Sequence, residues 1–307
     1  SEQVVILAAD DATLRRWDHR LFDSADIGRL LILLQQRGAS AAALAWPMLS
    51  NAQFSPAERN SLARDMRTSG IACLPLGLLS PGSAASSANR GNSLLLQRYS
   101  ALVASRFAEP PTQELRLLAP DDTLLRAAAS AGHNGFTLDS DGRVRRLPVW
   151  IESQGAYYPP LAISAAVLSS GETELTRASQ TLPLMPDGTM LLNYPTGVAA
   201  TPDDATQVLA SAFRTYSIAQ VLENPRLLPD LRHSCIIIGP TSNSLSQFST
   251  PSGARVPAVM LHAVIADNLL SGQNIERAPT AFLWLMTIIL CLTVGGFVSS
   301  RPPLWSA

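Results

Sequence analysis

The chain has 307 residues, of which 47% are hydrophobic and 15% are charged, and its formal net charge is −1. Because a nearly neutral chain has no basic face to neutralise phosphates, nucleic acid is not an expected partner. All 23 basic residues are arginines. Walker A loops, protein kinase active sites and Schiff-base enzymes each require a lysine, so this chain by itself performs none of those reactions.

The first half of the chain alternates short apolar runs with amphipathic ones. Residues 4–9 form a β-branched apolar run that is typical of a buried strand. Ser55, Pro56 and Glu58 match a capping box, which predicts a helix that begins there and ends at Gly70. This half is predicted to contain strands at 4–9, 39–46 and 71–79, helices at 26–37, 56–69, 94–107 and 120–131, and a mobile loop at 80–93.

The second half continues this alternation and contains a hairpin signal. Asp139, Asp141 and Gly142 form a D-x-D-G turn between two extended runs within residues 136–151. Strand–helix–strand successions with tight joints favour parallel pairing, so the chain is predicted to have an α/β fold with a mixed or mostly parallel sheet flanked by helices. The remaining predictions are helices at 160–168, 203–213, 217–223 and 256–270, strands at 190–194 and 235–238, and a polar loop at 241–253.

A long apolar run lies near the end of the sequence. Residues 281–298 contain no charged side chain and no side-chain amide. Because a bilayer-spanning helix needs about 20 mostly apolar residues, a transmembrane helix is predicted over 279–300, after a single module at 1–278. The alternative is the buried core helix of a soluble domain. Residues 301–307 would begin a cytoplasmic segment that is too short for an output domain, so a longer native polypeptide is expected.

Four stretches form an ordered set of motifs along the chain. They are residues 5–14, where a strand ends in an acidic pair; 131–148, with the D-x-D-G turn and paired arginines; 191–194, reading LLNY; and 236–270, with a Thr-Pro and a His-Ala before a helix. Taken in this order, they resemble the CHASE2 family of extracytoplasmic sensor domains. The chain departs from the family at three acidic positions, at Trp46, in the loop at 246–248 and at Met260. These departures argue against an inherited ligand or ion site, because the lost carboxylates are of the kind that would form one.

The resemblance implies a sensory input module of a bacterial membrane receptor. The bulk of the chain would lie on the periplasmic or extracellular side of the inner membrane and sense an unknown ligand or protein. The transmembrane helix would pass the signal to a histidine kinase, serine/threonine kinase, adenylate cyclase or diguanylate cyclase domain outside this chain. A homodimer is the expected assembly, and neither catalytic residues nor cofactors are predicted.

Two other functions stay open from the sequence. A membrane-anchored structural or interaction subunit would show a large apolar surface patch and no small-molecule pocket. A membrane-anchored periplasmic enzyme would show titratable groups clustered in a cleft.

Polar residues follow two of the predicted strands. Asp10 and Asp11 follow the first strand, and Thr241, Ser242 and Asn243 follow the strand near residue 238. In α/β folds ligands gather at the carboxyl ends of strands, so these five residues are candidate ligand-binding residues.

Arg145 and Arg146 form the paired arginines beyond the predicted turn. They are further candidates, because two guanidinium groups can clamp an anionic ligand. The favoured interpretation is structural: pairing with Asp10, Asp11 or Asp139 would hold the sheet edge together.

Metal and disulfide sites are not predicted. Asp139 and Asp141 are spaced like the first ligands of a calcium loop, but the arginines that follow would repel a cation, which favours a plain turn. The histidines lack metal-ligand spacing, and His262, on an apolar helix, is interpreted as a core or interface residue. Cys73 and Cys235 are interpreted as buried free thiols, although the sequence leaves a disulfide between them open.

Overall fold

The computed structural model describes residues 3–20, 22–46, 54–79, 93–100, 116–171, 183–185, 187–195, 201–242, 247–276 and 278–299. The strands are β1 (Val4–Ala9), β2 (Ala41–Leu44), β3 (Ala72–Leu79), β4 (Arg116–Leu118), β5 (Ser130–His133), β6 (Thr137–Leu138), β7 (Val144–Pro148), β8 (Ile151–Ser153), β9 (Ala156–Tyr158), β10 (Thr189–Leu191), β11 (Arg214–Ser217), β12 (Cys235–Pro240), β13 (Gln247–Ser249) and β14 (Arg255–Pro257). The helices are α1 (Asp11–Arg16), α2 (Ser24–Gln36), α3 (Pro56–Ser69), α4 (Ser93–Gln97), α5 (Asp122–Ala127), α6 (Leu161–Ser170), α7 (Pro202–Ser211), α8 (Ile218–Glu223), α9 (Ala258–Ser271) and α10 (Thr280–Ser299), with a 3₁₀ turn at Pro225–Leu227.

A seven-stranded sheet forms the centre of the domain. Its order is β11–β1–β12–β2–β3, and β3 pairs with β5 along its first half and with β4 along its second half. Every pairing is parallel except that of β3 with β4. The predicted α/β fold with a mostly parallel sheet is therefore confirmed.

Successive residues of β1 enter two different cores, because side chains alternate between the two faces of a sheet. Val5 and Leu7 pack in the core that contains α2, α3 and α5. Val4 and Ile6 pack in the core that contains α6 and α9. With helices on both faces the central strands have no solvent side, which explains why the sequences of β1 and β12 are apolar from end to end.

Smaller sheets lie beside the central one. β7 pairs in antiparallel fashion with β6 on one side and β10 on the other, and β8–β9 and β13–β14 are separate hairpins. The D-x-D-G turn joins β6 to β7 as predicted, with Gly142 at a φ of 74° and its N–H donating to the Asp139 carbonyl at 2.8 Å.

The helix predicted at 120–131 is wrong in its second half. α5 ends at Ala127, and β5 then pairs in parallel with β3, with Gly132 opposite Pro75. Gly132 does not end a helix but lies within β5. A Cβ at this position would lie 2.7 Å from the backbone of Pro159 and Leu161, so the residue is a glycine because of this close approach. Two distant segments approach closely there, and the local sequence does not reveal such a contact.

Several shorter elements were not predicted. α1, β11 and the hairpins β8–β9 and β13–β14 are too short to show a clear period, and β13 begins inside the predicted polar loop at 241–253. The predicted helix at 94–107 ends at Gln97 as α4, and residues 101–107 lie outside the described residues. The mobile loop predicted at 80–93 also lies outside them, apart from Ser93.

Cys73 and Cys235 are free, buried thiols, as predicted. They lie on β3 and β12, with β2 between these strands, and their partners on β2 are Ala43 and Ala41. Two strand spacings amount to about 9.5 Å. That exceeds the roughly 4.4–6.8 Å between Cα atoms that a disulfide spans, so the fold keeps the thiols apart.

The chain divides into two compact units, residues 1–274 and residues 275–307. The second unit contains α10, whose segment Thr280–Phe297 has a mean hydropathy of 2.0 and no buried residue. Trp284 in this helix is 66% exposed. By length and composition α10 can therefore cross a membrane, and nothing among the described residues of its own unit buries it as a core helix.

Candidate functional site

Asp10 lies at the carboxyl end of β1 and caps α1. Its Oδ1 accepts hydrogen bonds from the Thr13 backbone N–H at 2.9 Å, the Thr13 hydroxyl at 2.8 Å and the Ser217 hydroxyl at 3.0 Å. Burial raises the pKa of Asp10, but these hydrogen bonds outweigh it and lower the pKa below its usual value. The carboxylate thus ties the start of α1 to the end of β11.

The other predicted residues of this sheet edge are only partly brought together. The Thr241 N–H donates to the Ala9 carbonyl at 3.3 Å, so the ends of β12 and β1 lie side by side. Asp11 is exposed in the first turn of α1, Ser242 is half-buried, and Asn243 lies outside the described residues. A ligand-binding role for these residues stays a prediction.

Arg145 and Arg146 lie on β7, in a different sheet from β1, which Asp10 follows. Arg145 forms hydrogen bonds of 2.8 Å with Asp139 and of 2.7 and 2.9 Å with Asp141. Arg146 bonds Asp139 at 2.7 Å and lies 3.3 Å from Asp187.

These contacts answer a question that the sequence left open. Of the three partners considered, Asp139 pairs with both arginines. Hydrogen bonds from Arg145 lower the pKa of Asp141 to about 2, and those from Arg145 and Arg146 lower the pKa of Asp139. The guanidinium groups therefore already bind carboxylates of the hairpin, and an anionic ligand would have to displace those carboxylates.

α9 is the central helix of the second core. It packs against α6, β12 and β1, and Leu261, Val264 and Ile265 are fully buried. Gly272, at a φ of 66°, ends the helix. In sequence, only a short linker separates this end from the start of α10.

A polar cleft of ≈200 Å³ lies beside the last two turns of α9. Asn268 is buried and bonds the backbone of Asn193 in both directions, accepting from its N–H at 2.8 Å and donating to its carbonyl at 2.7 Å. The Asn193 amide donates to the Gln273 carbonyl at 2.8 Å. The lining residues are Asn193, Tyr194, Pro195, Ala212, Asp267, Asn268 and Gln273. A molecule in this cleft would contact α9 directly.

Two histidines are buried where the segment after β5 meets α9. His133 is 0% exposed and His262 is 2% exposed. Within the described residues, neither ring nitrogen of His133 nor the Nδ1 of His262 makes a hydrogen bond of normal geometry, although the Pro148 backbone lies near enough to His133 to affect its pKa. The Phe136 ring lies 5.0 Å from the His262 ring and 5.0 Å from that of Phe248.

Burial determines the protonation state of both histidines. It lowers the pKa of His133 to about 3, with a further lowering by His262 and an opposing effect of the Pro148 backbone, and it lowers the pKa of His262 to about 4. His262 is thus buried as the sequence predicted, but its Nδ1 is not satisfied.

Comparison with known families identifies the domain. The family model of the CHASE2 domain matches residues 1–298. The chain belongs to the CHASE2 family. CHASE2 domains are extracellular sensor modules of signalling receptors, and their role is sensory rather than catalytic. No curated protein and no solved structure gives a match.

The sequence did not predict the residues of the CHASE2 domain that form the cleft and the buried histidine pair. Asn193 and Tyr194 belong to the LLNY motif, which carried the resemblance but gave no sign of a cleft. Asp267 and Asn268 had no local signal, and His133 had none besides its place in the second motif. Within the described part of the chain no group of three or more His, Cys, Asp or Glu could hold a metal.

Proposed function

We propose that this CHASE2 domain is the extracytoplasmic input of a receptor in the inner membrane of a bacterium. The signal passes through α9 and α10 to a cytoplasmic kinase or nucleotide cyclase domain outside this chain. The observation that carries the proposal is that α9 is both a central core helix and the last helix before the apolar helix α10.

A ligand or partner acts by favouring one of two arrangements of the domain, and only a difference in affinity between them shifts the balance. Because α9 is close-packed, a change in its contacts moves it between discrete positions rather than deforming it gradually. The cleft supports this route, since Asp267 and Asn268 of its lining belong to α9 itself.

The proposal includes a homodimer in the membrane. A single helix transmits most simply by moving against a second copy. Gly295 and Gly296 would allow close approach of two such helices.

The interaction-subunit alternative has less support. It expects a large exposed apolar patch, but among the described residues outside α10 the large exposed hydrophobic side chains are Leu138 on β6, Leu227 in the 3₁₀ turn and Ile275 in the linker after α9. The enzyme alternative expects clustered titratable groups, whereas the cleft lining contains the carboxylate of Asp267 and the phenol of Tyr194.

The test begins with the native polypeptide from its own membranes. Its intact mass and its sequence past Ala307 should show a product much heavier than 32.8 kDa that carries a kinase or cyclase domain. A product that ends near Ala307 would overturn the receptor proposal in favour of the interaction subunit.

A second measurement tests the route. In vesicles that contain the full receptor, Asn268→Ala should change the basal output activity, because it releases the contact between α9 and the Asn193 segment. The matched control is Asn224→Ala, on the exposed surface before the 3₁₀ turn, which should leave the output unchanged. Equal activities of wild type and Asn268→Ala would argue against α9 as the transmitting element.

A further inference from the structure

The buried histidine pair is the least satisfied polar feature near α9. Protein interiors rarely leave a buried ring nitrogen without a partner, and such exceptions call for an explanation. His133 lies at the end of β5, whereas His262 lies on α9, so the pair joins the sheet to the helix that precedes α10. The two rings are close enough for the charge of His262 to affect the pKa of His133.

The surroundings offer no counter-charge to a protonated ring. β5, β3 and α6 contribute no carboxylate and no arginine to the described surroundings. The charged side chains on or beside the other packed elements include the carboxylates Asp139, Asp141, Glu152, Asp187 and Asp267 and the arginines Arg143, Arg145, Arg146 and Arg255. None of them contributes to the pKa of either imidazole. A proton taken up in the packed arrangement would thus create an unpaired buried charge, which is strongly unfavourable.

This situation makes the packing of α9 sensitive to acid. An exposed histidine has a pKa near 6.5, whereas the buried rings have pKa values of about 3 and about 4. The packed arrangement therefore has its full stability above pH 6.5 and loses it progressively as the pH falls toward those lower values. At pH 5 an arrangement that exposes the rings gains about 30-fold in population for each histidine exposed.

We propose that His133 and His262 form a proton-binding site through which this domain senses external acidity. At neutral pH both rings are uncharged and hold α9 against β5 and Phe136. Acidification favours an arrangement in which the rings reach water and bind protons, and α9 shifts because His262 is part of it. The final step, from α9 to an output, rests on the proposed function.

The experiment measures hydrogen exchange of the α9 amides in the full chain in lipid nanodiscs, at pH 7.5 and pH 5, corrected for the intrinsic pH dependence of exchange. In the wild type the protection of α9 should fall by at least about 30-fold, as the linkage requires. In the double variants His133→Leu/His262→Leu and His133→Gln/His262→Gln it should change by less than about threefold, since neither side chain titrates in this range.

A matched control uses the two exposed histidines of the chain. His19 and His233 have φ angles of 59° and 61°, which asparagine tolerates, so His19→Asn/His233→Asn should behave like the wild type. Equal loss of protection in the wild type and in the buried-pair variants would overturn the proposal. If both buried-pair variants fail to fold, an NMR titration of His262 in the wild type decides, because an apparent pKa near 6.5 would equally overturn it.

Receptor output separates this proposal from the proposed function. If acid loosens α9 but leaves the output of the full receptor unchanged, the proton site stands and the route through α9 fails. If α9 does not respond to acid while Asn268→Ala alters the output, the receptor stands and the proton site fails.

Discussion

Buried and half-buried polar side chains of this domain differ in whether their hydrogen bonds are satisfied. Asp26 is satisfied, because its Oδ2 accepts from the Trp17 indole at 2.9 Å and from Arg16 at 2.8 Å. Asp10 is satisfied by α1 and β11. The histidines His133 and His262 retain unpartnered nitrogens. Polar groups with hydrogen-bond partners stabilise one arrangement of the chain. Buried polar groups without such partners destabilise that arrangement relative to one in which they reach water.

Replacing Asp10 with alanine should lower the free energy of unfolding by about 1–2 kcal/mol, because α1 loses its N-cap and Ser217 its acceptor. The exposed neighbour gives the control: Asp11→Ala should cost less than about 1 kcal/mol, since it loses only a favourable charge at the helix start. Urea unfolding in detergent measures both. Equal losses would show that Asp10 has no special structural role.

The lowered pKa of Asp10 predicts that its contribution to the stability of the chain depends on pH. Because hydrogen bonds lower the pKa of Asp10 in the folded chain, its stabilisation is complete above pH 3.8 and is lost as the pH falls further. The difference in stability between wild type and Asp10→Ala should therefore shrink as the pH is lowered below 3.8, which urea unfolding at several pH values would show.

At the scale of elements, close contacts between distant segments position α9 and the sheet. Asn268 binds the backbone of Asn193 to the end of α9, and Gly132 lets β5 lie against the segment that enters α6. The first contact depends on the side-chain amide of Asn268, and the second depends on the absence of a side chain at Gly132. Each can therefore be tested by a single substitution.

Asn268→Ala should reduce the free energy of unfolding by about 1–2 kcal/mol, because it leaves the partly buried N–H and carbonyl of Asn193 without their Asn268 partners. Asn193→Ala is the matched control: it removes one exposed hydrogen bond to Gln273 and keeps the backbone pair. Denaturant unfolding should rank Asn268→Ala well below Asn193→Ala in stability. The reverse order would contradict the importance of this contact.

Gly132→Ala should destabilise the chain by about 3 kcal/mol or more, since the added Cβ meets backbone atoms that cannot move aside. Gly142→Ala tests conformation without a clash, because nothing lies within 4 Å of that Cβ. Its left-handed φ should cost about 1–2 kcal/mol. If thermal unfolding shows the two variants to be equally stable, the close approach at Gly132 is not tight.

At the scale of the whole molecule, a sensor unit precedes an apolar helix that is long enough to cross a membrane. Hydrophobic burial in the two cores stabilises the first unit, whereas α10 has no protein core of its own and exposes large apolar side chains. A bilayer, or a second copy of the helix, would cover that surface.

Cys291 provides a test of the proposed homodimer. It precedes Gly295 by one helical turn, so both lie on the same face of α10. If two copies approach through this face, mild oxidation in membranes should yield a disulfide-linked dimer on a non-reducing gel. Cys291→Ser should abolish it, since Cys73 and Cys235 are buried. A wild type that stays monomeric under oxidation would contradict this packing.

The sequence by itself determined the features that depend on neighbouring residues. The capping box at Ser55 and Glu58, the turn at Gly142 and the apolar helix α10 each follow from local chemistry, and the structure contains all three. The alternation of strand and helix patterns likewise determined the α/β class, since such elements bury their apolar faces in few ways.

Only the tertiary structure decided which distant residues meet. Asp10 and Ser217 are 207 positions apart, and Asn193 and Asn268 are 75 apart. The local sequence at Gly132 is typical of a helix end, but in the structure this glycine lies in β5 beside Pro159. The burial of His133 and His262 also results from tertiary contacts. The solvent exposure of a side chain depends on every element packed around it, so it does not follow from the residues next to it in the sequence.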